Sequence, residues 1–181
     1  MIIAAERVLA RDGAAGLTTN RVAEVAGVSI GSVYQYFPNK QAVVAALIER
    51  NTSQFVAVVT RVLAEHRESP PEMAALAMGL GIRETFAHQG DVHLDLFEQI
   101  SMLGLTRAME HALVTMTDAL AAWIAGNPRL AVADPQTTAW VMVRAIEGIM
   151  RAHAIRIDRR DEAKVALEAA AMMLRYLPRR T

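Results

Sequence analysis

Apolar residues recur along most of this 181-residue chain at the spacing of amphipathic helices. The longest such run starts after Asn39, which can cap a helix, and continues to about Glu65. Its apolar positions recur at intervals of three, four and seven residues and so share one helix face. At a rise of 1.5 Å per residue, this predicted helix spans roughly 40 Å. The positions are Val44, Leu47, Ile48, Phe55, Val58, Val59, Val62 and Leu63.

The same spacing, combined with helix-start and helix-stop residues, predicts about nine helices in all. The clearest break between them is Glu68-Ser69-Pro70-Pro71. We expect the helices to run from about Ile2 to Arg11, from Thr18 or Thr19 to Ala26, from Ile30 to Phe37, from Asn39 to Glu65, from Pro71 to His88, from Asp91 to Leu103, from Thr106 to Ala125, from Pro135 to Ile157 and from Asp161 to Leu177.

Composition agrees with an all-α fold. Hydrophobic residues make up 53% of the chain, whereas glycine and proline number only 10 and 6, so disorder is not expected. Alternating Val/Ile/Thr runs that would predict a sheet are missing from the sequence. There is no cysteine, which excludes disulfides and thiolate metal sites. Apolar runs such as Ala119–Ala125 are too short to span a bilayer, and Glu6 and Arg7 interrupt the first helix, so we expect a cytoplasmic protein.

The stretch from Leu17 to Lys40 has the layout of a helix-turn-helix, which places its second helix in the DNA major groove. Gly27 is suited to the left-handed turn after the first of the two helices, and Ser29 can cap the second. Pro38 ends that second helix. We expect the side chains of Val22, Val25, Val28, Val33 and Phe37 to face inward.

The second helix of this pair would then turn Ser32, Tyr34, Gln35 and Tyr36 wholly or partly outward. Hydroxyls can bond phosphate oxygens and glutamine can pair with adenine. Gly31 would allow the backbone to approach DNA closely. By spacing, Ile30 could either join the core or point outward to a thymine methyl group, and we favour the outward position.

Charge gives a mixed indication. The net charge is zero, and Lys40 is the only charged residue between Val25 and Ile48. The predicted DNA face therefore carries no carboxylate that would repel phosphate. It is also only weakly basic, so we expect modest non-specific affinity.

Short helices joined by glycine occur in many proteins that never touch DNA, but the whole set of residues here is more specific. Thr18-Thr19, Val22-Ala23, Ala26-Gly27-Val28-Ser29, Gly31 to Phe37 and Asn39-Lys40 together resemble the TetR family of bacterial transcriptional regulators. The resemblance covers roughly the first 50 residues. It implies a helix-turn-helix domain over residues 1–45 and an effector-binding and dimerisation domain over 46–181, linked by the helix at 40–65.

The resemblance also implies partners. They are double-stranded DNA with a palindromic operator, a small effector, and a second copy of the chain. The apolar stripes of the C-terminal part indicate that the effector is largely apolar. Carried over by position, Thr19, Tyr36 and Lys40 look like phosphate contacts. The full set of positions predicted to bind DNA is Thr18, Thr19, Asn20, Ser29, Ile30, Gly31, Ser32, Tyr34, Gln35, Tyr36 and Lys40. Ile30 stands where many relatives carry a charged residue, and Gln41 where many carry an acid.

The C-terminal part offers apolar stripes with two possible uses. Flexible methionines and aromatic residues can line an adaptable pocket, although such stripes are more often simply core. Small and apolar residues on the last two helices suit a paired four-helix bundle. The pocket candidates are Met78, Phe86, Phe97, Ile100, Met102, Met116 and Trp123, and the dimer candidates are Trp140, Val143, Ile146, Ile149, Met150, Val165, Ala169, Met172, Met173 and Tyr176.

Catalytic and metal chemistry are not predicted. His88, His93 and His111 include no pair at i, i+4, and a nucleophile with its base and orienting group is not recognisable. We therefore expect a non-enzymatic protein that needs no cofactor. The alternative to a regulator is a helical ligand-binding or scaffolding protein with a vestigial DNA unit, which only the low positive charge supports.

Overall fold

A computed structural model describes residues 1–86, 106–154 and 162–180. These residues form helices and connecting turns, and no strand occurs among them beyond an isolated bridge between Leu130 and Arg179. The all-α prediction is thereby confirmed. The helix predicted from Asp91 to Leu103 lies outside the described residues. The eight helices are α1 (Ile2–Gly16), α2 (Thr19–Ala26), α3 (Ile30–Tyr36), α4 (Lys40–Glu65), α5 (Pro71–Phe86), α6 (Thr106–Gly126), α7 (Pro135–Ala154) and α8 (Glu162–Tyr176).

Side-chain caps define where several helices begin. Thr18 Oγ1 accepts a hydrogen bond from the Arg21 amide at 3.1 Å at the start of α2. Asn39 Oδ1 accepts from the Ala42 amide at 2.9 Å at the start of α4. Such a cap satisfies an amide that has no partner within the helix.

Asp134 caps α7 in the same way, with Oδ1 accepting from the Thr137 amide at 3.0 Å. This backbone hydrogen bond, followed by one to the Thr137 side chain, lowers the pKa of Asp134. The carboxylate therefore stays charged to lower pH than usual, at the positive end of the helix dipole.

The first helix is longer than the sequence predicts. It reaches Gly16 instead of stopping at Arg11, with one break at Gly13, whose φ of 68° and ψ of −179° are not helical. The predicted stop at Asp12-Gly13 therefore interrupts α1 without ending it. Glycine is suited to this backbone conformation because a side chain would be strained there.

The described residues divide into two compact units. Unit 1 comprises Met1–Ser53 with Phe86–Ala108, of which the structure describes Phe86 and 106–108. Helices α1, α2 and α3 and the first half of α4 share a small apolar core in this unit. The side chains buried there include Val8, Leu9, Leu17, Val22, Val33, Val43, Val44, Leu47 and Ile48.

Unit 2 comprises Gln54–Thr85 and Met109–Thr181. Its larger core joins the second half of α4 to α5, α6 and α7 and to Leu177, which follows α8. A smaller cluster around Leu113 and Met116 packs against Phe55 and Val59 of α4 and Val143 of α7. The members of the larger cluster that are most buried are Leu63, Ala74, Ala121, Trp123, Ile124, Leu130, Ala139, Met142 and Leu177.

Helix α4 is long and apolar enough to cross a membrane by length and composition alone, a property that the apolar runs of the sequence did not suggest. A core helix can pass the same test. One third of the relevant window is buried, and α4 contributes Leu47 to the core of unit 1 and Val62 to the core of unit 2. These packed positions account for part of its apolar character.

Candidate nucleic-acid interface

A left-handed glycine sets the turn between α2 and α3. Gly27 has a φ of 68° and a ψ of 31°. The amide of Gly27 donates to the Glu24 carbonyl at 3.2 Å, and the amide of Val28 donates to the Ala23 carbonyl at 3.1 Å. These bonds satisfy carbonyls that would otherwise be unpaired at the end of α2. The turn thus fixes where α3 begins.

One side chain of α3 is buried in the core, and several others are exposed to solvent. Val33 is fully buried, whereas Ile30 is 39% exposed, Tyr34 51% and Tyr36 68%. Gln35 and Gly31 are also exposed. The outward position of Ile30 that we favour agrees with the structure. The prediction that Val28 faces inward is wrong, because its side chain is exposed.

Hydroxyl groups surround the start of α3. Ser29 Oγ accepts from the Ser32 amide at 3.1 Å and lies 2.9 Å from Ser32 Oγ. Ser29 is exposed and Ser32 half-buried. At the start of α2, Thr18 and Asn20 are exposed and Thr19 is half-buried. In the sequence, these polar residues stand next to the exposed apolar residues of α3. Polar and apolar side chains together suit contacts to both phosphates and bases.

Lys40 has a partner that the sequence pattern does not indicate. Its Nζ donates to the backbone carbonyl of Ala14 at 2.7 Å, across a separation of 26 residues. The carbonyl belongs to the short segment of α1 that follows the break at Gly13. An ammonium group can donate three hydrogen bonds, so this contact positions Lys40 without using up its donors.

Three of the arginines within Met1–Ser53 are paired with carboxylates. Arg21 forms ion pairs with Glu24 and with Asp12, the latter at 3.1 Å. Arg11 pairs with Asp12 at 2.7 Å, and the pKa of its guanidinium group is raised by that hydrogen bond. Arg50 pairs with Glu6 at 2.7 Å. The face around α3 therefore has little positive charge to offer, as its sequence suggests.

The pocket candidates fall into three groups. Met78 packs half-buried against the large core of unit 2, and Met116 belongs to the smaller cluster. Trp123 is buried, and its Nε1 donates to the His66 carbonyl at 2.8 Å, so its indole has a structural partner. The remaining candidates lie outside the described side chains: Phe86, Phe97, Ile100 and Met102.

The dimer candidates are only partly exposed. Trp140, Met172 and Tyr176 are exposed, whereas Ala169 is buried and Val143 and Met173 pack against the two clusters. Ile146, Ile149 and Val165 are half-buried, and the Met150 side chain lies outside the described part. The strongly exposed Leu167 of α8 is not among the candidates. A group of three or more possible metal ligands does not occur in the described ranges.

Comparison with solved structures shows the same fold in several proteins. A transcriptional regulator from Cytophaga hutchinsonii is 18% identical, with a TM-score of 0.75 over 97% of this chain and 95% of that one. SmeT, the repressor of the Stenotrophomonas maltophilia multidrug efflux pump SmeDEF, is 21% identical, with a TM-score of 0.69 over 97% and 87%. FadR from Bacillus subtilis, in complex with stearoyl-CoA, is 17% identical, with a TM-score of 0.64 over 96% and 95%.

Family models match both parts of the chain. Residues 2–47 match the bacterial regulatory proteins of the tetR family, and residues 81–177 match the tetracyclin repressor-like C-terminal domain. Comparison with curated protein sequences gives no match. Because the second family model alone covers more than half of the chain and the first covers its helix-turn-helix, this protein belongs to the TetR family of bacterial transcriptional regulators.

Proposed function

We propose that this protein is a cytoplasmic, ligand-responsive repressor that binds a palindromic operator as a homodimer. The observation that carries the proposal is the exposed face of α3, with Tyr34 and Tyr36 turned to solvent on a helix whose start is fixed by Gly27 and Ser29. A helix presented in this way can enter the major groove. The opposite face is held in the core of unit 1 by Val33.

A small effector is supported by the fold and by what related folds bind. SmeT has been solved in complex with triclosan and Bacillus subtilis FadR in complex with stearoyl-CoA. In this chain, Met78 packs half-buried against the larger apolar cluster of unit 2, and Met116 is a buried member of the smaller one. Methionine adapts its shape to irregular apolar ligands. A largely apolar organic molecule is therefore the effector class that we propose for unit 2.

Helix α4 is the element through which we expect the effector to act, since it contributes to the cores of both units. Two recognition helices of a dimer must match half-sites roughly 34–36 Å apart. A displacement of a few ångströms at one end of α4 is then enough to prevent both helices from docking together. The effector must bind more tightly to the conformation that does not fit DNA.

Lys40 provides the test of the DNA-binding face. We expect Lys40→Ala to weaken binding to operator and random DNA alike, because a phosphate contact carries no sequence information. The slope of log K against log salt should fall by about 0.9 for each phosphate that a protomer no longer neutralises. Binding is measured by fluorescence anisotropy of labelled duplexes over a series of salt concentrations.

Lys164→Ala is the matched control for Lys40→Ala. It removes the only other lysine of the chain and thus changes net charge equally, but from α8 in unit 2. An unchanged slope in Lys40→Ala, or an equal decrease in both variants, would contradict the proposed phosphate contact. Absence of any DNA binding by the unaltered protein, including to the promoter beside its own coding region, would favour a scaffolding or ligand-binding role.

A further inference from the structure

The exposed apolar side chains of Met1–Ser53 are concentrated around α3. Five large hydrophobic residues are exposed in this part of unit 1, and four of them lie within nine consecutive positions. The fifth, Ile3, lies on α1. Clustered apolar exposure of this kind marks a contact surface more often than chance. The four clustered residues are Val28, Ile30, Tyr34 and Tyr36.

Ile30 and Tyr34 form a continuous apolar strip within that cluster. They are four residues apart on α3 and therefore share one helix face. The strip begins directly after the cap residue Ser29, and exposed Val28 precedes the cap. It thus occupies the part of α3 that enters a groove first, where recognition helices contact base edges.

The stretch around the strip offers few cations for the commonest form of base recognition. Arginine or lysine usually reads guanine, but the stretch from Val25 to Ile48 holds one cation, Lys40, and no arginine. Arg21, which precedes this stretch, is paired with Asp12 and Glu24. The apolar group that base edges present in the major groove is the C5-methyl of thymine.

We propose that Ile30, with Tyr34 beside it, reads a thymine methyl group in each operator half-site, so that sequence preference rests on apolar contact. This inference depends on the proposed DNA-binding function and specifies what the site recognises. Specificity should then persist at salt concentrations that abolish non-specific binding, since an apolar contact releases no counterions.

The test replaces single thymines by deoxyuridine, which removes only the methyl group and leaves base pairing unchanged. The probe is a duplex enriched from a random library by the full-length protein. Burial of one methyl-sized group is worth about 0.8 kcal/mol, so one replacement should weaken binding about fourfold and the symmetric pair about fifteenfold. In Ile30→Ala the thymine-to-uracil ratio at those positions should fall to about one.

Ile3→Ala is the matched control, because it shortens another exposed isoleucine of the same unit, on α1 and 53% exposed against 39% for Ile30. It should retain the full preference of the unaltered protein for thymine over uracil. Failure to enrich any duplex would overturn the proposed function itself. Enrichment without thymine preference, or a preference that Ile30→Ala keeps, would overturn the methyl contact and leave DNA binding intact.

Discussion

Asn127 is the residue on which one end of unit 2 depends. Its side chain is 2% exposed, and its Nδ2 donates to the carbonyls of Arg67 and Ser69 at 3.2 and 2.9 Å. Its Oδ1 accepts from the Arg129 amide at 3.0 Å. One buried amide therefore joins the loop after α6 to the loop between α4 and α5. Both polar atoms of the side chain have partners, which offsets the cost of removing them from water.

We expect Asn127→Ala to destabilise the protein by about 1–3 kcal/mol, because it removes a buried side chain and three part-buried hydrogen bonds, to the carbonyls of Arg67 and Ser69 and from the Arg129 amide. The measurement is the urea midpoint at constant m-value. Asn20→Ala is the control: that asparagine is exposed on α2, and its removal should change stability by less than about 0.5 kcal/mol. Equal effects in the two variants would refute the structural role of Asn127.

At the scale of elements, two glycines near the turn between α2 and α3 should respond differently to replacement by alanine: stability should fall at one and not at the other. Gly27 has a positive φ, and open space surrounds the position of an added Cβ, so Gly27→Ala is strained by backbone conformation alone. The expected cost is about 1–2 kcal/mol. Gly31 is helical, and an added Cβ would lie 3.7 Å from Ser29 Oγ, an ordinary contact.

Gly31→Ala should therefore leave stability unchanged or raise it by up to about 1 kcal/mol, because alanine is the better helix former. Chemical unfolding of both variants alongside the unaltered protein gives the comparison. If Gly27→Ala proved as stable as Gly31→Ala, the left-handed turn would not be the feature that fixes the start of α3.

Helix boundaries are predictable here to the extent that their causes are local. Thr18, Ser29 and Asn39 cap helices from positions next to them, and the sequence predicts each of these starts. Val28 is mispredicted because helical spacing does not continue through a left-handed turn, so its distance from Val25 says nothing about its direction. Periodicity holds only within one element.

Contacts between distant positions are the part that the sequence could not supply. The bond from Lys40 to the Ala14 carbonyl joins residues 26 positions apart, and the bond from Trp123 to the His66 carbonyl joins residues 57 apart. Both acceptors are backbone carbonyls, which every residue has, so the residue types at these positions do not indicate either bond. Trp123, a pocket candidate in the sequence, is buried in the structure and held by the second of these bonds.

At the scale of the whole molecule, the palindromic operator that we propose would require two-fold symmetry of the protein that binds it. Each protomer then needs a self-complementary apolar surface. On α8, Met172 and Tyr176 are exposed and four residues apart, so they share one face, which is the face that we predict to pair. Trp140 on α7 is the exposed aromatic side chain that suits the centre of such an interface.

Met172→Glu should therefore convert the proposed dimer to monomer. Met172 is 48% exposed in a single chain, and a carboxylate buried without a partner costs about 3–5 kcal/mol, which raises the dissociation constant by a hundredfold or more.

Leu167→Glu is the control on the same helix, since Leu167 is 71% exposed and lies about 140° away around α8. Sedimentation velocity at micromolar concentration should show a monomer for the first variant and a dimer for the second. Operator affinity should fall only in the first, because one α3 alone cannot use both half-sites. A dimeric Met172→Glu, or a monomeric Leu167→Glu, would place the interface on a different face of the protein.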